Sequence, residues 1–149
     1  MAKYIIAHDV GTSGNKAVLV DTEGRVQGKC FEPYKTYYPS PGWVEQEPKD
    51  WWQAVSKTTK LLLERTKVSP GDVLCITYAT QMLGIIPMDS KSGPLRQAII
   101  WLDCRAGEQA ERSMRKFLGP RVFALIAGAV LCGKDGMPKL LWLKTEEPD

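Results

Sequence analysis

An acidic residue, a small-residue turn and a lysine follow one another in Asp9-Val10-Gly11-Thr12-Ser13-Gly14-Asn15-Lys16. Phosphate binding needs those parts. Glycine lets backbone N–H groups come close to a phosphate. Thr12 and Ser13 add hydroxyl donors, and Lys16 adds positive charge. Asp9 cannot bind phosphate directly, but a carboxylate can hold a hydrated Mg²⁺ that does, which makes Asp9 the candidate catalytic and metal residue. The pattern is neither the dinucleotide fingerprint nor the Walker loop, because no lysine precedes a serine or threonine at a helix start. An ordinary hairpin turn is the competing reading of the same residues.

Two further groups could face a small polar molecule. Gln81-Met82-Leu83-Gly84 follows an apolar run, and ligands sit beyond strand ends in open α/β sheets. A strand continuing through a bend competes with that reading. Trp101-Leu102-Asp103-Cys104-Arg105 stands at a strand-to-helix junction. Trp101 offers a stacking face for a sugar and Asp103 a polar group in the same pocket. Alternatively Asp103 caps the helix that follows. His8 falls on the strand face opposite Asp9, and no neighbouring Cys or His spacing supports a metal site, so it reads as a half-buried structural histidine.

These residues need elements to hold them. Lys3 to Asp9, Asn15 to Asp21 and Arg25 to Phe31 read as three strands joined by tight turns, an antiparallel meander. Residues 32–47 read as irregular. Pro48 suits the first turn of a helix whose apolar stripe is Trp51, Trp52, Val55, Thr59, Leu62 and Leu63. Asp72 to Thr80 predicts a strand buried on both faces. Leu83 to Met88 and Gln97 to Leu102 predict further strands. Ala106, Ala110, Met114 and Leu118 predict a second helix, Pro120 to Ile126 a short third, and Pro138 opens a last one. Strands followed by helices in this order describe an α/β layer fold.

The 149 residues amount to one ordinary domain, with 44% hydrophobic and 25% charged residues, so a real core needs neither disulfides nor metal. The net charge of +3 is mild and its basic residues are scattered, which argues against nucleic acid. Cys30, Cys75, Cys104 and Cys132 lie too far apart for a paired metal motif and read as free thiols in a reducing compartment. The start reads directly into a strand and the longest apolar stretch is too short for a bilayer, so neither a leader nor a membrane is expected and the cytoplasm is the default. The abrupt end inside or just after a helix suggests a fragment.

In register, four segments resemble the FGGY family of carbohydrate kinases, its xylulokinase-like branch most. HDVGTSGNKAVLVD (8–21) resembles the family's first phosphate motif and GWVEQEPKDWW (42–52) its tryptophan-rich helix entry. ATQMLG (79–84) with IIWLDCRA (99–106) resembles its sugar-side strand and junction, and GMPKLLWLKTEEPD (136–149) the segment after it. The resemblance implies a ribonuclease-H-like lobe of the actin-like ATPase kind, a mixed sheet with the three-strand antiparallel meander flanked by helices. It implies transfer of the ATP γ-phosphoryl group to a sugar or polyol hydroxyl with Mg²⁺. Asp9 belongs to the Mg²⁺ and phosphoryl region, Gly11, Thr12 and Ser13 to the phosphate turn, and Gln81, Met82 and Leu83 to the sugar site. Xylulokinases usually carry histidine where this chain has Leu83, which favours another polyol or ketose. The general base, the second phosphate motif and the adenosine motif of the family fall beyond residue 149. Residues 1–149 are thus expected to be an incomplete N-terminal lobe, inactive alone, with exposed apolar surface that favours a homodimer. A non-catalytic single-lobe binding module is the alternative.

Overall fold

The computed structural model describes Lys3 to Pro148, which fall into two compact units, residues 3–36 with 47–81 and residues 37–46 with 82–148.

In the first unit, strands β1 (Tyr4–Val10), β2 (Gly14–Asp21), β3 (Val26–Pro33) and β6 (Val73–Thr80) form one sheet in the order β3-β2-β1-β6. The meander is as expected: β1 pairs antiparallel with β2, and β2 with β3. β6 adds parallel to β1, giving a mixed sheet. Helix α1 (Pro48–Thr66) packs on one face, and Leu62 meets Ile6, Ala17 and Leu19 to form the core there. Gly28 of β3 allows this approach, since a Cβ at that position would stand 2.8 Å from the Thr66 methyl. Pro48 sits in the first turn, as expected, and the Glu47 side chain accepts from the Lys49 N–H. Lys67 ends the helix in the left-handed conformation.

Two expectations fail in this unit. The buried stripe of α1 is Ala54, Val55, Thr58 and Leu62, and Trp52 is exposed, because one helical step turns it about 100° away from Trp51. β6 is not buried on both faces. It is the outer strand, and its Leu74, Ile76 and Tyr78 are 56%, 44% and 50% exposed. The apolar run was legible, but not the absence of a neighbour to cover it.

The second unit holds, apart from Thr36, a small sheet of order β4-β5-β7, from Thr36–Tyr37 (β4), Glu45–Gln46 (β5) and Ala98–Ile99 (β7), with helices α2 (Gly107–Arg115), α3 (Pro120–Ala127) and α4 (Gly136–Glu146). Residues 36–46 therefore carry short strands where irregular chain was expected. The strand expected over Leu83 to Met88 is absent: isolated bridges pair Ile85 with Ile99 and Met88 with Pro94. Leu83 has φ +59°, which breaks an extended run, and Pro87 and Pro94 lack the N–H a ladder needs. The strand expected over Gln97 to Leu102 shortens to Ala98–Ile99. Leu118 falls beyond α2 with φ +63°, next to Gly119 at +98°. The last helix begins two residues before Pro138. The four cysteines are free thiols. Among the described residues, no helix is long and apolar enough to cross a membrane.

Candidate functional site

The phosphate-motif residues gather at one end of the first unit's sheet. Asp9 of β1 stands directly opposite Lys16 of β2, and the Gly11 N–H donates to the Gly14 carbonyl at 3.1 Å to close the turn between them. Alternation sends His8 and Val10 into the core and leaves Asp9 and Lys16 exposed. Lys16 Nζ lies 3.9 Å from Asp9 Oδ2, a long, water-screened pair that leaves either charge open to recruitment by a ligand. Thr12 is half-buried and Ser13 exposed at the tip. Gly14 has no room for a side chain, since a Cβ would stand 2.5 Å from both the Glu32 carbonyl oxygen and the Phe31 ring.

Two residues that sequence reasoning did not assign a role hold this turn. The Tyr34 hydroxyl donates to the Gly11 carbonyl. Burial, with the Asp9 charge adding to it, pushes the Tyr34 pKa up to about 12, so it remains a donor at neutral pH. Asn15, at the start of β2, donates to His8 Nδ1 at 3.0 Å and to Thr58 Oγ1 at 2.7 Å. His8 Nε2 meets Thr59 Oγ1 at 3.2 Å, and the ring stacks on Tyr78. Burial lowers the His8 pKa, opposed by the Asn15 hydrogen bond. His8 is thus a structural histidine, fully rather than half-buried.

Gln81 joins the same end of the sheet. β1 and β6 run parallel with Asp9 beside Ala79 and Val10 beside Thr80, and the Gln81 N–H donates to the Val10 carbonyl at 3.1 Å. The residue after β6 therefore sits against the residue that opens the phosphate turn.

Met82, Leu83, Trp101 and Asp103 belong to the second unit. Met82 and Leu83 are 73% and 45% exposed, and Trp101 is also exposed. Asp103 is fully buried. Its carboxylate accepts from the Val44 N–H at 2.6 Å, from the Arg105 N–H at 2.9 Å and from the Arg105 guanidinium at 2.7 Å. Asp103 does not cap α2, whose N-cap is Ala106 without a side-chain bond. Arg105 also donates to Glu45 at 2.6 Å and lies 3.9 Å from the Trp43 ring centroid and 4.9 Å from that of Trp142. Arg96 bridges Glu45 and Glu147. Lys139 of α4 is also fully buried and donates to the Leu83 carbonyl at 3.1 Å and the Ile100 carbonyl at 2.9 Å. Burial lowers its pKa, opposed chiefly by Asp103 and Asp135. The signal for Lys139 was a charge set in the apolar run Pro138 to Trp142, and Tyr34 carried none.

The donor set bears on the metal. Among the described residues no three acidic, histidine or cysteine side chains gather as a metal cage. A single exposed carboxylate beside a hydroxyl-rich turn fits a hydrated Mg²⁺ that takes its remaining ligands from water and substrate phosphates.

Against known proteins, the model of the N-terminal domain of the FGGY family of carbohydrate kinases matches residues 4–149. The chain is similar to xylulose kinase of Bacillus subtilis (strain 168), 35% identical over 147 residues, covering 99% of this chain and 29% of that protein. It is 31% identical over 156 residues to glycerol kinase of Thermococcus gammatolerans, covering 99% and 30%. The solved gluconate kinase from Lactobacillus acidophilus superposes with a TM-score of 0.86 at 27% identity, covering all of this chain and 30% of that one. The chain thus spans under a third of the length of the curated relatives it matches.

Proposed function

The chain belongs to the FGGY family of carbohydrate kinases and has their mixed α/β, ribonuclease-H-like fold, and from there we propose that it is the incomplete N-terminal lobe, residues 1–149, of an ATP-dependent kinase that phosphorylates a hydroxyl of a sugar or polyol. The observation that carries the proposal is the shared end of β1 and β6. There the Asp9–Lys16 pair and the Gly11–Gly14 turn lie next to Gln81, so phosphate-type and sugar-type groups meet at one sheet end.

Each residue has a role in this reading. Backbone N–H groups of Gly11 to Ser13 and the Thr12 and Ser13 hydroxyls receive phosphate oxygens, and Lys16 offsets their charge. Asp9 would hold Mg²⁺, which when bound neutralises charge building on the transferring phosphoryl group. Tyr34 fixes the turn through the Gly11 carbonyl. In the first unit Gln81 offers its amide to a sugar hydroxyl; in the second, Met82 and Leu83 offer apolar surface and Trp101 a stacking face for a sugar. Asp103 is buried and serves indirectly, by holding Val44 and Arg105. Leu83 offers no side-chain hydrogen bond, and an unpartnered buried hydroxyl costs about 1–3 kcal/mol, so the preferred substrate is a polyol or ketose without a hydroxyl directed there. For the chain alone, the uncovered β6 edge supports pairing of two copies.

A panel of pentoses, hexoses and polyols, assayed for ADP release with the full-length kinase and with residues 1–149, tests this. The full-length protein is expected to turn over at least one of them and the chain alone none. Sugar-dependent turnover by the chain alone, or none by the full-length protein, would overturn it.

A further inference from the structure

Lys139 has no part in the phosphate turn, yet it is among the most deeply buried side chains of the second unit, and it is a cation. Its ammonium reaches two carbonyls in separate segments, Leu83 at 3.1 Å and Ile100 at 2.9 Å. Those carbonyls flank the candidate sugar residues: Leu83 follows Met82, and Ile100 precedes Trp101. Almost no regular ladder holds the two segments together. The Ile85 and Ile99 N–H groups exchange hydrogen bonds at 2.9 and 3.0 Å, and Ile85 belongs to no strand. Leu83 moreover sits at φ +59°, a region that branched, non-glycine residues seldom occupy without an external hold.

We propose that Lys139 is a positioning residue whose buried ammonium ties the Leu83 and Ile100 carbonyls together and so sets the spacing between Met82–Leu83 and Trp101, the two sides of the sugar site. A point charge with rotatable donors suits this task, since it can serve two carbonyls from separate segments at once. The ammonium loses its hydration on burial, and the two carbonyl dipoles, with Asp103 nearby, replace it. This rests on the sugar-kinase reading, because only a bound sugar gives the spacing a use.

Amide hydrogen exchange on residues 1–149 tests the tie without any substrate. Lys139→Met keeps the volume and removes the donors. It is expected to speed exchange at the Ile85 and Ile99 amides by about tenfold or more, with β1 and β2 amides unchanged. Glycine adopts a positive φ freely, so in a Leu83→Gly background the same substitution is expected to have a clearly smaller effect, a coupling that mere packing at Lys139 would not produce. If Lys139→Met does not fold, Lys139→Arg, which keeps the charge but moves its donors, is expected to perturb the same amides. In the full-length kinase, Lys139→Met is expected to raise the KM for sugar about tenfold with the KM for ATP unchanged. Unchanged exchange at Ile85 and Ile99, no coupling to Leu83→Gly, or an unmoved sugar KM would each overturn the proposal. A full-length protein that phosphorylates no sugar at all would instead refute the kinase reading, with the exchange experiment still deciding whether the tie exists.

Discussion

The two units bury polar groups by different chemistry. Inside the first, His8, Asn15, Thr58 and Thr59 form a neutral chain of hydrogen bonds against α1. Inside the second, Asp103, Arg105, Glu45 and Lys139 are buried as potential ions, with Arg105 over two tryptophan rings. The reason lies in the backbone. β1, β2, β3 and β6 carry long ladders, so the Gly11–Gly14 turn is placed mainly by strand register, and the neutral side chains of Tyr34 and Asn15 brace it. Met82 to Gln97 and Ile100 to Ala106 carry almost no ladder. Alongside isolated backbone bonds, side-chain charges hold several of their groups: Lys139 the Leu83 and Ile100 carbonyls, Asp103 the Arg105 N–H, and Asp89 the Lys91 and Gly93 N–H groups. A buried ion pair adds little net stability over apolar packing, but breaking one leaves a charge stranded. Such pairs fix geometry at the cost of fragility.

Breaking the ionic network should therefore do the most damage. Asp103→Ala leaves the Arg105 guanidinium with Glu45 as its remaining carboxylate and the Val44 N–H without its acceptor, and is expected to cost about 3 kcal/mol in urea denaturation. A loss under about 1 kcal/mol would mean that the second unit does not depend on it.

The neutral network should respond to acid. Burial holds the folded His8 pKa below its unfolded value of 6.5. Between those two values the unfolded chain binds the extra proton, so stability is complete above pH 6.5 and declines as pH falls through the folded pKa. The melting temperature is expected to drop between pH 7.5 and 5.5 in the parent chain, and by less in His8→Asn. Equal drops would assign the acid sensitivity to other groups.

The smallest effect is expected at the exposed edge. Ile76→Lys on β6 should change folding stability by less than about 0.5 kcal/mol, while reducing self-association in sedimentation. A large destabilisation would show that β6 is covered in solution.

The same contrast decides what could be read from the sequence. The meander, α1 and the tight turn at Gly11 to Gly14 are legible because they follow from local rules: alternation, turn glycines and Pro48 at a helix start. β6 was recognised as a strand but misjudged as buried, because its uncovered edge depends on what lies beside it rather than on its own residues. Leu83 to Met88 misled because an apolar run suggests a strand, and neither the positive φ at Leu83 nor the tie to Lys139 leaves a periodic trace. Asp103 was singled out, but its bonds to Val44 and Arg105 are contacts between distant residues or within an irregular turn. Tyr34 lies in a stretch that reads as irregular, and its bond to the Gly11 carbonyl, 23 residues away, leaves no local pattern.

The central claim is that Asp9 at the end of β1 serves phosphoryl transfer. It is tested most directly by Asp9→Asn in the proposed full-length kinase, measured as kcat for phosphorylation of whichever sugar or polyol it turns over best, alongside the melting temperature. The account predicts a fall in kcat of about 10²–10³-fold with the melting temperature unchanged, since the Asp9 side chain is 54% exposed and its ion pair with Lys16 is long. A kcat within a fewfold of the parent protein's would contradict it.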